Sequence, residues 1–589
     1  MADKVPGVST TYIRESDVSG TAPNNRCLIF GLMAAGSLAT PNVPFRARSA
    51  ANVAAQTGGA WSHATRMYRA ARVQADAEMW ILPITDPGGT AGTRIIKFIA
   101  APTYDATNGW ELGSATALAQ GTDVTVDVGG QIATASCAAG DTWATVATKV
   151  KAALDAITDL VVTVGRVNET LTLTDRHTAL ITDDLPVRVS FSNATSGGAA
   201  SAGTLTLANN ATGAGTVSLT DGIITNSWTF ANTDTPAASA ASLRDVINKY
   251  GPLRGALANP ATGVITLYYR DDRYIRRHSA SITAAVGTTV ALAMGTAGAG
   301  TPTLSGAGNA LEKLTADQAY KTWANPFADA TSMGAAITTI IAQDAAPIEK
   351  GQLLVACISS GIPSVSLLGA TSPALTTTEL CTVLYYQGSP VPAAQIAARV
   401  AAEIAAEDDY GRNYNGLVLK QSESMPLAAP HRADRSTRDN WNTALTEGYA
   451  PVAVNGGNQT YVVSGRTTFA AANAVGQKLQ KWAGALIPMA LRAGLRQALA
   501  DAFMRPGYGK SIKAHGEPKT DRAVTTKGVR SVVIAFFKKA DSQDLYDFDT
   551  DIEGAVKSVV DVTPTTIKIT APFRFPADLD RIEVEAYPD

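Results

Sequence analysis

Charge is scarce in this 589-residue chain. Asp, Glu, Lys and Arg make up 17% of it, against about 25% in an ordinary soluble protein. The 49 basic and 51 acidic residues sum to −2. No field of one sign surrounds the protein, which argues against a generic nucleic-acid binder. Aromatics are scarce as well, at 6%. No apolar run reaches the roughly 18 residues of a transmembrane helix. The first residues, MADKVPGVSTTYIRES, lack the apolar centre of a signal peptide. Cys27, Cys137, Cys357 and Cys381 are widely scattered and form no CxxC, so they make no disulfide scaffold. The expectation is a soluble protein made in a reducing cytoplasm.

What is present points elsewhere. Apolar residues still make up 46%, which excludes a disordered chain. Ala, Thr, Gly and Ser fill the space left by charge and aromatics. They pack backbones closely and few of them do catalysis. At about 150 residues per domain, the length predicts roughly three to five domains.

The charge deficit is deepest in the middle. Residues 101–300 hold 28 charged side chains, or 14%, and the remainder stands near 18.5%. The middle also repeats itself. One copy reads VTVDVGGQIATASCAAGDTWATVATKVKAALDAI and then LVVTVGRVNETLTLTDR. The other reads TVSLTDGIITNSWTFANTDTPAASAASLRDVINKY and then ATGVITLYYRDD. Each copy predicts a hairpin, an N-cap at Asp141-Thr142 or Asp234-Thr235, an amphipathic helix and a closing strand pair. Setting Thr142 on Thr235 gives a period of 93 residues. Gly129-Gly130 and Gly222 supply the positive φ of tight hairpins.

The flanks alternate strand and helix. Helices are predicted over 62–75, 315–344, 391–407 and 467–503, the last kinked at Pro488. Strands are predicted over 78–84, 351–359, 417–420, 529–537 and 565–570. This alternation implies an α/β sheet with covering helices. Both ends read as strands. Val8, Thr10 and Tyr12 share one side of residues 5–13. In residues 581–587, Ile582, Val584 and Ala586 face one way, and Arg581, Glu583 and Glu585 face the other, before Tyr587. Such strands suit pairing with a sheet edge of the same chain or of a neighbour.

Motifs for chemistry are missing. His63, His177, His278, His431 and His515 lie far apart in sequence, with no HxxxH or HExxH. The run from Arg505 to Ser511 imitates a phosphate loop, but Met504 stands where the first Gly belongs. No GxSxG occurs. Residues 547–555 (DFDTDIEGA) fail the calcium-loop pattern, with Ile552 and Ser558 at the Gly and Glu positions. The charge knot at 268–278 reads as a solvated strand end. Asp183-Asp184 and Asp408-Asp409 have no glycosidase spacing. The sequence predicts no enzyme, no cofactor and no metal.

Several short motifs resemble one family, the contractile tail sheath proteins of bacteriophages, with the flavour of Mu-like phage sheaths. Val5-Pro6-Gly7-Val8 opens the chain as it opens sheath proteins, and the short helix followed by the strand at 78–84 is similar. Pro426-Leu427-Ala428-Ala429-Pro430, residues 435–439, Trp441 and Leu445-Thr446-Glu447-Gly448 resemble a family segment. Residues 461–468 (YVVSGRTT) resemble its strand ending in Gly-x-Thr-Thr. The long helix after it and residues 582–587 also fit. The order of these motifs along the chain carries the weight, over residues 1–100 and 310–589. Two stretches depart from the pattern: residues 538–551 are unusually polar, and residues 505–528 unusually Gly- and Lys-rich.

The resemblance implies an organisation. Residues 1–20 form an N-terminal extended arm. Residues 21–100 and 309–430 form a discontinuous α/β sheath domain. Residues 101–210 and 211–308 are inserted outer repeats. Residues 431–574 form a C-terminal core domain, and residues 575–589 an arm strand. The fold class is therefore α/β and α+β multidomain, with inserted tandem β-rich modules. The implied function is a structural virion subunit that polymerises as stacked hexameric rings around a tail tube and contracts to drive the tube through the host envelope. Its partners are itself, the tube protein, and the baseplate and tail terminator proteins, with no direct nucleic acid and no membrane insertion. Assembly takes place in the host cytoplasm. The alternative is another virion or surface-layer assembly protein. The implied contact residues are Val8, Thr10, Tyr12, Arg581, Ile582, Glu583, Val584, Glu585 and Tyr587.

Overall fold

The computed structural model describes residues 25–570 apart from 107–108, 180–184, 221–224, 251–255, 259–261, 270–272, 276–277, 284–287, 299, 315–318, 345–350, 360–367, 370, 372, 431, 471–478, 504–510, 514–522, 544–552, 555 and 561–566. Both predicted arm strands, at 5–13 and 581–587, lie outside these residues.

The chain is a mixed α/β fold with several sheets. It begins with β1 (Arg26–Met33), β2 (Phe45–Arg46), α1 (Ala50–Thr57), α2 (His63–Gln74) and β3 (Glu78–Thr85). An insert follows: β4 (Thr93–Ala100), β5 (Thr103–Asp105), β6 (Gly109–Glu111), β7 (Thr122–Val128), β8 (Gln131–Cys137), α3 (Trp143–Asp155), β9 (Val162–Val167), β10 (Thr170–Asp175) and β11 (Val187–Phe191). It continues through β12 (Gly198–Ala208), β13 (Gly215–Thr220), β14 (Thr225–Phe230), α4 (Pro236–Tyr250), β15 (Ala256–Ala258), β16 (Val264–Tyr269), β17 (Ser279–Thr283) and β18 (Thr289–Ala293). The chain then returns with β19 (Thr322–Ala324), α5 (Ala330–Asp344), β20 (Leu353–Ile358), β21 (Cys381–Tyr385), α6 (Ala393–Ala406), α7 (Arg438–Thr446), β22 (Ala450–Val454), β23 (Thr460–Val462), α8 (Trp482–Phe503) and α9 (Thr526–Asp541).

The flanks close one eight-stranded sheet in the order β2-β3-β1-β19-β20-β21-β22-β23. Neighbours from β3 to β22 run parallel, and β2 and β23 pair antiparallel at the edges. β1, β20 and β21 are apolar and buried almost throughout, as parallel strands covered on both faces must be. β22 and β23 extend this sheet past residue 430, the expected end of the α/β domain.

The insert has its own apolar core, built from residues such as Phe98, Val126, Val150, Leu171, Leu205, Leu243 and Ile265. Its main sheet runs β15-β16-β12-β4-β10-β9, with β18 also paired to β12. Equivalent strands of the two copies lie on either side of the antiparallel β4–β12 contact. The copies therefore share one sheet and one core. The 93-residue shift reproduces individual hydrogen bonds. Leu118 N donates to Asp141 O (2.9 Å), Gly140 N to Leu118 O (2.8 Å), Ala138 N to Asp141 Oδ2 (2.7 Å) and Thr145 N to Thr142 Oγ1 (3.3 Å). In the second copy Ala211 N donates to Asp234 O (3.1 Å), Thr233 N to Ala211 O (3.0 Å), Ala231 N to Asp234 Oδ2 (2.8 Å) and Ala238 N to Thr235 Oγ1 (3.3 Å).

One pair of equivalents is chemically unequal. Gly140 sits at φ 83° and Thr233 at φ 85°. A β-branched residue there bears about 1–2 kcal/mol of left-handed strain. Glycine relieves this at about 0.4–1 kcal/mol of extra chain entropy. Thr233→Gly is therefore expected to stabilise the insert by about 0.5–1 kcal/mol, and Gly140→Thr to destabilise it. Urea unfolding monitored at Trp143 and Trp228, both packed against the insert's core, checks this. An unchanged midpoint for Thr233→Gly would show that the turn carries no strain.

Several sequence expectations fail for identifiable reasons. Residues 529–537 are not a strand but the centre of α9. Val529, Val533, Phe537 and Ala540 are buried at helical spacing, and Thr525 Oγ1 caps the helix by accepting from Gly528 N (3.1 Å). Branched apolar runs fit both periods, and packing decides between them. Helix α5 starts at Ala330, not 315, because residues 322–324 form a buried central strand too short to show periodicity. Residues 467–470 are not helical, because Thr467 N bonds to Gln480 O and Arg466 bridges to Lys481; α8 runs from Trp482, and residues 471–478 lie outside the described residues. Residues 417–420 make one bridge, Val418 to Tyr461, rather than a strand.

Candidate assembly site

The C-terminal motifs gather around Trp482, which is fully buried at the start of α8. Its indole N–H donates to Arg466 O (2.9 Å) and Thr382 Oγ1 (3.0 Å), and Thr382 itself donates to Arg466 O (2.6 Å). The segment Gly465-Arg466-Thr467-Thr468 is thereby tied to β21. Thr468 N donates to Cys381 O (2.9 Å), and its hydroxyl donates to Leu375 O (2.7 Å). At Gly465 a Cβ would lie 2.8 Å from the Trp482 ring and 3.0 Å from Tyr414 Cβ, so only glycine lets the backbone pass. Tyr414 meets Trp482 edge-on at 5.4 Å, a favourable aromatic geometry.

The Pro426–Trp441 motifs are tied to one another and to the tip of the β22–β23 hairpin. Arg435 Nε donates to Pro430 O (2.9 Å) and its Nη2 to Asn458 Oδ1 (3.0 Å). Trp441 Nε1 donates to Ser436 Oγ (2.6 Å). Thr437 caps α7 by accepting from Asn440 N.

Polar side chains bind the loop at 417–425 to the helical layer. Arg399, buried in α6, donates to the carbonyls of Lys420 and Met425. Burial lowers its pKa to about 10. Gln74 of α2 bonds to Glu403 and to the Val418 carbonyl, and accepts from Lys420 N (2.8 Å). Lys321, next to β19, points at the Tyr410 ring (4.1 Å). Burial brings its pKa down to about 8 against the pull of Asp408, Glu407 and Asp409. Cys381 is pushed up to about 12 by burial, with Thr468 opposing. All four cysteines are free and buried.

Among the described residues these contacts tie the sheet, the loops and the helices together. Among the described residues, no group of three His, Cys, Asp or Glu could hold a metal ion, and no helix is long and apolar enough to cross a membrane. The nine residues expected to make subunit contacts, Val8, Thr10, Tyr12, Arg581, Ile582, Glu583, Val584, Glu585 and Tyr587, lie outside the described residues. So do most of the 505–511, 547–555 and 270–277 motifs and Asp183-Asp184. Asp408 accepts from Asn25 (2.7 Å) and Asp409 from Gly411 N (2.9 Å), each serving a loop.

One grouping escaped the sequence reading. His63 and His177, 114 positions apart, meet where the insert sits on α2. No short-range pattern could have revealed it.

No family model and no curated protein matches the chain. Similar solved structures are tail sheath proteins of phage and contractile injection systems. A sheath tail protein of Desulfitobacterium hafniense is 14% identical, with a TM-score of 0.43, covering 97% of each chain. A sheath tail protein of Listeria innocua is 11% identical, with a TM-score of 0.43, covering 95% of this chain and 93% of that one. The contracted helical sheath of the anti-feeding prophage is 15% identical, with a TM-score of 0.35, covering 49% of this chain and 77% of that one.

Proposed function

We propose that the chain is a structural subunit of a contractile phage tail sheath. Copies polymerise as helically stacked hexameric rings around a tail tube, between baseplate and tail terminator proteins. Contraction of the extended polymer drives the tube through the host envelope. The energy is stored during assembly, so the subunit needs no active site. The polymer forms in the host cytoplasm and works in the virion tail.

One observation carries this reading. The two flanks that bear the sheath-like motifs are separated by residues 86–321, yet they close a single sheet whose C-terminal motifs interlock around Trp482. The insert leaves and returns at adjacent points, with Thr93 and Thr296 hydrogen-bonded, so it adds bulk without interrupting that sheet. The terminal strands around Val8–Thr10–Tyr12 and 581–587 supply the exchange between subunits by adding to a neighbour's sheet edge. Helical stacking needs such heterologous contacts.

Electron microscopy of the purified protein is expected to show hollow tubes or helical rings. A stable monomer whose melting temperature rises with a small ligand would overturn the proposal.

A further inference from the structure

The joint between core and insert is polar, although each of the two has an apolar core. Helix α2 presents His63, Arg66 and Arg69 to the insert's first copy. Arg69 pairs with Asp159 at 2.5 Å. Arg66 is buried, which lowers its pKa to about 10, with the charges of Asp159 and Asp127 opposing. The linker leaving β3 contributes Asp86, and the segment after β10 contributes Arg176, His177 and Thr178. Asp86 accepts from Thr178 N (2.9 Å), from the Thr178 hydroxyl and from His177 Nδ1 (3.0 Å). Trp61 lies between His177 (5.3 Å) and the Arg176 guanidinium (5.0 Å). Ala179, next along, is fully buried in the core of the eight-stranded sheet. The insert is thus plugged into the core by the 176–179 segment.

The geometry fixes the protonation of this plug. His177 Nε2 accepts the backbone N–H of His63 at 3.2 Å, so it carries no hydrogen. The ring's single proton therefore sits on Nδ1 and is donated to Asp86. A second proton, on Nε2, would face the His63 N–H at the positive end of α2. The His63 ring has both nitrogens buried, with no hydrogen-bond partner among the described residues. A cation there would have only the charge of Asp86 to set against its lost hydration.

We propose that this joint is an acid-sensitive latch: protonation of His63, packed against His177, withdraws the 176–179 plug and loosens the insert from the core. The proposal does not depend on the assembly reading. Burial holds His63 down to about 3, with the charge of Asp86 opposing. An exposed imidazole titrates near about 6.5. The closed joint is therefore fully favoured above about pH 6.5, and the advantage falls as pH drops, because only the open joint takes up the proton. Between pH 7.5 and 5.0 this alone raises the open population about 30-fold.

Hydrogen exchange by mass spectrometry on the full chain tests this, with intrinsic rates corrected for pH. Peptides spanning 61–69 and 174–179 are expected to open about 30-fold more often at pH 5.0, and β20 and β21 to stay unchanged. His63→Phe should abolish the difference. Equal protection at both pH values overturns the proposal. So does a rise that survives in His63→Phe, which would place the effect on another group of the joint. Should that variant fail to fold, exchange at the histidine ring C2–H in the unaltered chain decides the matter, and an ordinary titration of His63 near 6.5 overturns the latch.

Discussion

A chain shortened by residues 579–589 is expected to fold and stay soluble but to form no tubes. The removed residues alternate Ile582, Val584 and Ala586 against Arg581, Glu583 and Glu585, which is the pattern of a strand covered on one face. About six ladder hydrogen bonds at about 0.5–1.5 kcal/mol each amount to about 3–9 kcal/mol per subunit contact. Losing the lower figure already weakens each contact by more than about 100-fold. The effect multiplies along a polymer. Circular dichroism and size exclusion of the truncated chain, with electron microscopy, give the readout. An unfolded or aggregated truncation would show that the strand pairs within its own chain.

Excising the insert is expected to have the opposite outcome: tubes that still form, with a thinner wall. The cut follows from the structure. Gly88 O lies 2.8 Å from where a Cβ on Gly300 would stand, so residues 88 and 300 can be joined with almost no linker. A cut at the expected domain bounds, 101–308, would strand β4, which pairs with β10 on one side and β12 on the other. The excision uncovers His63, Arg66 and Arg69, which are polar enough to tolerate water. It also removes Ala179 from the core, so some loss of melting temperature is expected. A folded but non-assembling product would make the insert part of the contractile mesh.

These two experiments rest on features with different origins. The repeat was legible because it is local. Hairpin, cap and helix follow within each copy, and a shift of 93 residues brings Asp141-Thr142 onto Asp234-Thr235 along with their hydrogen bonds. The buried strands at 78–84 and 351–359 were legible as continuous apolar runs, which only a sheet covered on both faces tolerates. Residues 529–537 misled for a related reason. Their Val and Ile favour a strand on an isolated reading, and the helix exists because Val533 and Phe537 find a core at helical spacing.

The sequence by itself determined the absence of catalytic motifs, the duplicated insert, the α/β character of the flanks and the motif order that resembles a sheath. All of these are read from spacings of a few residues or from repetition. Only the tertiary structure decided that the two insert copies share one sheet, that residues 450–462 extend the flank sheet, and that His63 and His177 meet across the joint. Each of these depends on contacts between residues distant in the chain, chosen by which faces can be buried together. Low charge first marked this protein by what it lacks. The structure places some of the charge it has at the joint with α2, where Arg69 pairs with Asp159, and in the loop that Arg399 ties to its helix.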